Sequence, residues 1–150
     1  MSHCDKVAHC DVTDLDALAE ATEALGGVCL SDTAARWWGH SVGDYPLPEG
    51  YTADSLQAAM KRPARTLRFP GASYDVAAVP RLDGKKGYEL VLDWYGTGGL
   101  TLVLGQKGGR LAAAYNEAVT VKAAKKQGFT VTRSVEKGKV MLALSRVRSN

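Results

Sequence analysis

Two runs decide the fold: Tyr74-Asp75-Val76-Ala77-Ala78-Val79 and, after the break Asp83-Gly84-Lys85-Lys86-Gly87, Tyr88-Glu89-Leu90-Val91-Leu92-Asp93-Trp94. Each is short, apolar and rich in β-branched or aromatic residues, and a glycine-bearing polar turn lies between them. They are expected to pair as an antiparallel hairpin. Upstream, Thr66 to Phe69 reads as a further strand ended by Pro70-Gly71, and Val7 to Cys10 and Val28 to Leu30 read as short strands.

Helical spacing surrounds these strands. Leu15, Leu18, Thr22 and Leu25 recur at the helical period between about Asp14 and Leu25, with Asp14, Asp16, Glu20 and Glu23 on the outer face. Thr13 is the expected N-cap and Gly26-Gly27 the left-handed stop. A shorter helix is expected over Ala53 to Lys61, capped by Thr52 and ended before Pro63. A long one is expected over Gly109 to Gln127, with Leu111, Tyr115, Ala118, Val121 and Ala124 as its buried stripe. Leu100 to Leu104, flanked by glycines, suits either a strand or a helix start, and Ser31 to Gly50 breaks every period and reads as an ordered loop. Phe129 to Val135 and Lys139 to Val147 alternate around Glu136-Lys137-Gly138, a second hairpin. Phe129, Val131, Met141 and Ala143 fall on alternating positions there and are expected in the core.

This order is neither a repeating βαβ unit nor a pure sandwich. It predicts an α+β fold: an antiparallel sheet of about five to six strands, with two to three helices packed mainly on one face. At 150 residues, with no internal repeat or linker, residues 1–150 read as a single domain.

No apolar run approaches the roughly 18–20 residues of a membrane span, and Met1 to Lys6 lacks the apolar stretch of a signal peptide. Three cysteines, Cys4, Cys10 and Cys29, suit a reducing compartment, so a cytoplasmic protein away from the membrane is expected.

Several stretches together resemble a small conserved domain of unknown function found in cyanobacteria, in red-algal plastids as a hypothetical chloroplast protein, and in bacteriophages. They are Met1-Ser2-His3, Leu15-Asp16-Ala17-Leu18 with Leu25-Gly26, Ser73 to Val76, Gly87 to Gly96, and Ala123 to Arg146 around Lys125-Lys126-Gln127-Gly128-Phe129. The chain departs from that family at Cys4, where an aromatic residue is usual, and in a longer middle from Ser31 to Pro63. The resemblance implies one domain and an intracellular location, and it brings no established activity.

Charge gives the functional lead. Up to Met60 the chain has ten acidic and two basic residues; from Lys61 onward it has six acidic and seventeen basic ones. Clustered cations attract phosphates. Gly105 to Arg110 leads into a predicted helix whose free amides favour an anion, with Lys107 and Arg110 beside it. Arg65 and Arg68 belong to the basic segment that starts at Lys61, and Trp37 and Trp38 offer stacking surfaces in the loop. These six residues form the expected ligand site.

Other constellations carry less. His3-Cys4 and His9-Cys10 supply zinc ligand types, but residues six apart on a strand lie about 20 Å from one another, so no metal is assigned. Nothing in the sequence brings Cys29 to His40 as a nucleophile pair, and Gly96-Thr97-Gly98-Gly99 lacks the third glycine of a dinucleotide fingerprint. Asp93 reads as a carboxylate on a sheet face. With no catalytic residue and no cofactor assigned, two function classes stand. One is a binding module for a phosphate-bearing ligand, nucleotide or nucleic acid; the other is a protein–protein adaptor or phage-type host-interaction factor.

Overall fold

The central hairpin forms as its two apolar runs and glycine turn predict: β4 (Val76–Pro80) pairs antiparallel with β5 (Tyr88–Asp93), with Val76 opposite Leu92 and Ala78 opposite Leu90. The computed structural model describes residues 4–7, 10–39 and 46–146. Around the hairpin lie β1 (Cys4–Lys6), β2 (Val28–Leu30) and β3 (Arg65–Arg68). The five strands form one antiparallel sheet in the order β1-β5-β4-β3-β2. A strand was expected from Val7; pairing instead starts at Cys4, and Val7 N–H extends it by donating to Leu90 O at 2.8 Å.

The buried run Val76–Val79 has no solvent-facing side, so both faces of the sheet must be covered. Three helices cover one face: α1 (Leu15–Ala24), the short α3 (Leu100–Leu104) and α4 (Gly109–Lys126). Leu67, Val76, Ala78, Leu90 and Leu92 point into that layer and meet Leu18, Leu104, Leu111 and Tyr115. The other helix, α2 (Ala53–Lys61), covers the opposite face, where Leu56 and Met60 meet Cys4, Ala77, Val79 and Val91. The fold is therefore α+β, with helices mainly on one face.

Local chemistry fixes the joints. The N-cap of α1 is Asp14, one residue later than expected: its Oδ1 accepts the amides of Asp16 and Ala17, both at 3.0 Å. The amides of Thr13 and Asp14 both donate to the hydroxyl of buried Tyr115, at 3.0 and 3.2 Å, which ties this joint to α4. Thr52 caps α2 as expected, within a reciprocal capping box with Ser55. Leu100–Leu104 resolves as helix. Gly98, just before it, has no room for a side chain, since a Cβ there would lie 2.1 Å from Cδ2 of Tyr74. Gly98 and Gly99 thus serve a close approach of the chain to itself; Gly98 O also accepts the amide of Ser73 at 2.8 Å.

The carboxyl-terminal hairpin corrects an expectation. β6 (Phe129–Glu136) and β7 (Lys139–Arg146) pair in unbroken register, but as a separate two-stranded sheet beside α4 and not as part of the core. Val131 lies opposite Leu144, so Phe129 and Val131 share a face with Leu142 and Leu144, while Met141 and Ala143 take the other face. Met141 is 52% exposed. Period-two alternation specifies which side chains share a face; it does not specify that anything covers that face.

Candidate anion-binding site

Strand alternation separates the two arginines of β3. Arg65 shares a face with Leu67 and points toward the α1–α4 layer, whereas Arg68 shares the opposite face with Thr66 and Val28. Arg65 is half-buried and spends an N–H on the carbonyl of its neighbour Ala64, at 2.6 Å. Beside it the Cys29 thiol is pushed up by burial, with the Arg65 charge opposing that shift.

Arg68 meets a partner that sequence reasoning did not single out. Asp75, fully buried at the entrance to β4, accepts from Arg68 Nε at 3.1 Å and Arg68 Nη2 at 3.0 Å. The same carboxylate accepts from Arg36 Nη2 at 2.8 Å, Arg36 Nε at 3.1 Å and the Arg36 amide at 2.9 Å. Arg36 O in turn accepts the Asp75 amide at 2.9 Å, and Arg36 Nη2 reaches Ala72 O at 3.4 Å. Burial pushes the Asp75 carboxyl up, but the hydrogen bonds from Arg68 and Arg36 outweigh it and hold it below the usual carboxylate range.

Two guanidiniums thus share one carboxylate, a local charge of +1. Their side chains remain 45% (Arg36) and 34% (Arg68) exposed, while Asp75 is sealed. Both line a cleft of about 350 Å³ whose other walls include Val28, Phe69 and Pro70. Arginine presents its donors in a planar fork suited to phosphate or carboxylate oxygens. Hydrogen bonds to the buried Asp75 orient both forks where they line the cleft. Two guanidinium forks beside one buried carboxylate offer hydrogen-bond donors of the kind that anionic oxygens accept.

The other expected site residues lie elsewhere. Lys107 is exposed in a 3-10 turn with φ of 54°, ahead of α4. Arg110 is exposed, donates to Val103 O at 3.3 Å, and lines a cleft between Leu25 and Val140 of the hairpin. Both belong to the helical layer across the sheet from Arg68, so the structure does not bring them to it. Trp37 packs against the Leu56–Met60 cluster as core edge, and the Trp38 amide donates to Asp93 Oδ2 at 3.2 Å. Asp93, expected on a sheet face, is fully buried and also accepts the Tyr95 amide at 3.0 Å.

His3, His9 and His40 lie outside the described residues, so the His-Cys and Cys29–His40 readings do too. Among the described residues no group of three metal-ligating side chains gathers, and no helix is long and apolar enough to cross a membrane. Two signals pointed to the missed residues. Arg36 is one of two basic residues before Met60, and Asp75 is the single charge leading into a fully apolar strand. No family model, curated protein or solved structure matches the chain, and the family resemblance rests on the stretches quoted above alone.

Proposed function

We propose that this chain is a small binding domain for a phosphate-bearing ligand, seated at the cleft between Arg36 and Arg68. One observation carries the reading: the buried Asp75 carboxylate organises two half-exposed guanidiniums and neutralises only one of them. The excess cation, the pre-set forks and the adjoining cleft together favour an anion with several oxygens. The apolar rim at Val28 and Pro70 suits a ligand with a non-ionic portion, such as a nucleotide or the end of a nucleic acid strand.

Calorimetric titration with inorganic phosphate, a nucleoside diphosphate and a short oligonucleotide at two salt concentrations tests this. Binding is expected to weaken with salt and to be lost in Arg36→Ala, while Lys107→Ala with Arg110→Ala leaves it unchanged. Loss of binding in the Lys107/Arg110 variant alone would move the site to the start of α4. No binding by any of the three at low salt would remove the anion reading.

The second reading, a protein–protein adaptor, draws on the apolar side chains that the carboxyl-terminal hairpin leaves exposed, among them Val140 and Leu144.

A further inference from the structure

We infer that β7 is a self-association edge, on which a second copy of this chain adds its own β7 antiparallel to make a four-stranded sheet. Among the described residues β7 has β6 as its one ladder partner, so its outer row of backbone N–H and C=O groups meets no strand. Chains that stay monomeric blunt such an edge with proline, a bulge or a central lysine. β7 has none of these. Its register with β6 is unbroken over eight residues, its cations stand only at its ends, Lys139 and Arg146, and five consecutive apolar residues, Val140 to Leu144, lie between. Val140, Met141 and Leu144 are 45%, 52% and 50% exposed.

The strand's own sequence favours a second copy as the occupant. Turned antiparallel about Leu142, β7 sets Leu142 against Leu142 of the second copy and Val140 against its Leu144, all on one face. On the other face Met141 meets Ala143, a large side chain against a small one. The same register places Lys139 opposite Ser145 and Arg146 opposite Gly138, so no cation faces a cation. Shifting the register by two residues either way sets an apolar residue of this run against a polar or terminal one. The two-fold axis makes the contact close on itself and leaves β6, which packs on α4, undisturbed. Eight residues a side fall short of the roughly 20–30 of a standard interface, so the association expected is weak, with Kd on the order of tens of micromolar.

Sedimentation velocity over a concentration series spanning that range is expected to show a monomer–dimer equilibrium. Met141→Lys with Leu144→Lys, both at half-exposed positions, is expected to weaken it at least tenfold while far-UV circular dichroism stays as in the parent. The register has its own test in a Cys29→Ser background, where Cys4 and Cys10 are buried. Under mild oxidation Leu142→Cys is expected to cross-link two copies, because directly opposed Cβ atoms lie within about 4.5–5.5 Å, while Met141→Cys, offset from its own copy, is not. A monomer at every concentration, a dimer indifferent to the two lysines, or equal cross-linking by both cysteines would each overturn the proposal. Should the lysine variant fail to fold, the cysteine pair decides. None of these readouts depends on anion binding.

Discussion

Asp75→Asn isolates what the buried carboxylate does, because the side chain keeps its shape and loses only its charge. In the parent, that carboxylate accepts from Arg36 Nη2 at 2.8 Å, from Arg68 Nη2 at 3.0 Å and from the Arg36 amide at 2.9 Å. Removing one partner of a buried ion pair typically costs about 3–5 kcal/mol. Both guanidiniums retain access to water, with 45% and 34% of their side-chain surface exposed, so the expected loss sits at the lower end, about 3 kcal/mol. For a chain of this length that is a fall in Tm of roughly 6–12 °C. The pH dependence supplies the sign. The carboxyl is held below its ordinary range in the folded state, so its stabilisation is complete above the unfolded value of about 3.9 and is lost as pH falls through the folded value. Urea titrations of parent and variant at pH 7, 5 and 3 should show the difference between them shrinking toward acid. A difference under about 0.5 kcal/mol at pH 7, or one that stays constant down to pH 3, would refute the account of Asp75 as the charged centre of the cluster.

Packing gives a sharp contrast between the two sheets: Leu90→Ala, in the fully buried centre, is expected to cost about 2–5 kcal/mol by chemical denaturation, whereas Val140→Ala stays within about 0.5 kcal/mol of the parent. Gly98→Ala must push aside the ring of Tyr74, which its new Cβ would approach to 2.1 Å, and is expected to cost about 1–3 kcal/mol in the same assay; no change would mean the ring swings away freely. Burial, then the charge of Asp11, pushes the Cys10 thiol up to about 12, so at pH 8 iodoacetamide should label Cys29 well before Cys10, as followed by peptide mass spectrometry. Earlier labelling of Cys10 would contradict its burial.

The central hairpin was legible because Val76 to Val79 and Leu90 to Leu92 are apolar without interruption and a glycine turn separates them; burial on both faces of the sheet is a finding of the structure. α2 and α4 were legible to within a residue from Thr52, Pro63 and Gly128. Where the reading slipped, the deciding partner was distant in sequence. Asp14 caps α1 in place of Thr13, and the amides of both residues donate to the hydroxyl of Tyr115, about a hundred residues away. The second hairpin has the alternation of a buried strand, yet among the described residues α4 covers it only in part, and Val140, Met141 and Leu144 stay exposed. The ligand site divided along the same line. Arg68 was expected, but its companions Arg36 and Asp75 stand 32 and 7 residues away in the sequence, and only the fold closes that triangle. Arg65 was grouped with Arg68 by proximity in the chain, although an odd separation on a strand places side chains on opposite faces.

The division of charge between the two parts of the chain acquires a physical meaning from these contacts. Part of it is spent across the boundary: Arg81 pairs with Asp11 at 2.6 Å, Lys122 with Asp14 at 2.7 Å, and Arg36 with Asp75 at 2.8 Å. The first two reach carboxylates in the acidic segment from the basic one, so a count of cations after Met60 overstates the field available to a ligand. The third runs the other way, a lone arginine of the acidic segment reaching into the basic one. There it meets a carboxylate that Arg68 already occupies, and the surplus appears at that point. Exposed pairs such as Lys122–Asp14 contribute little to stability and are open to salt. The Arg36–Asp75–Arg68 cluster differs because its anion is sealed from water and bonded to both guanidiniums. A cation held in position by its neighbours loses little freedom when an anion binds, and that pre-organisation, more than the chain's net charge of +3, is the reason to look for a ligand at this cleft.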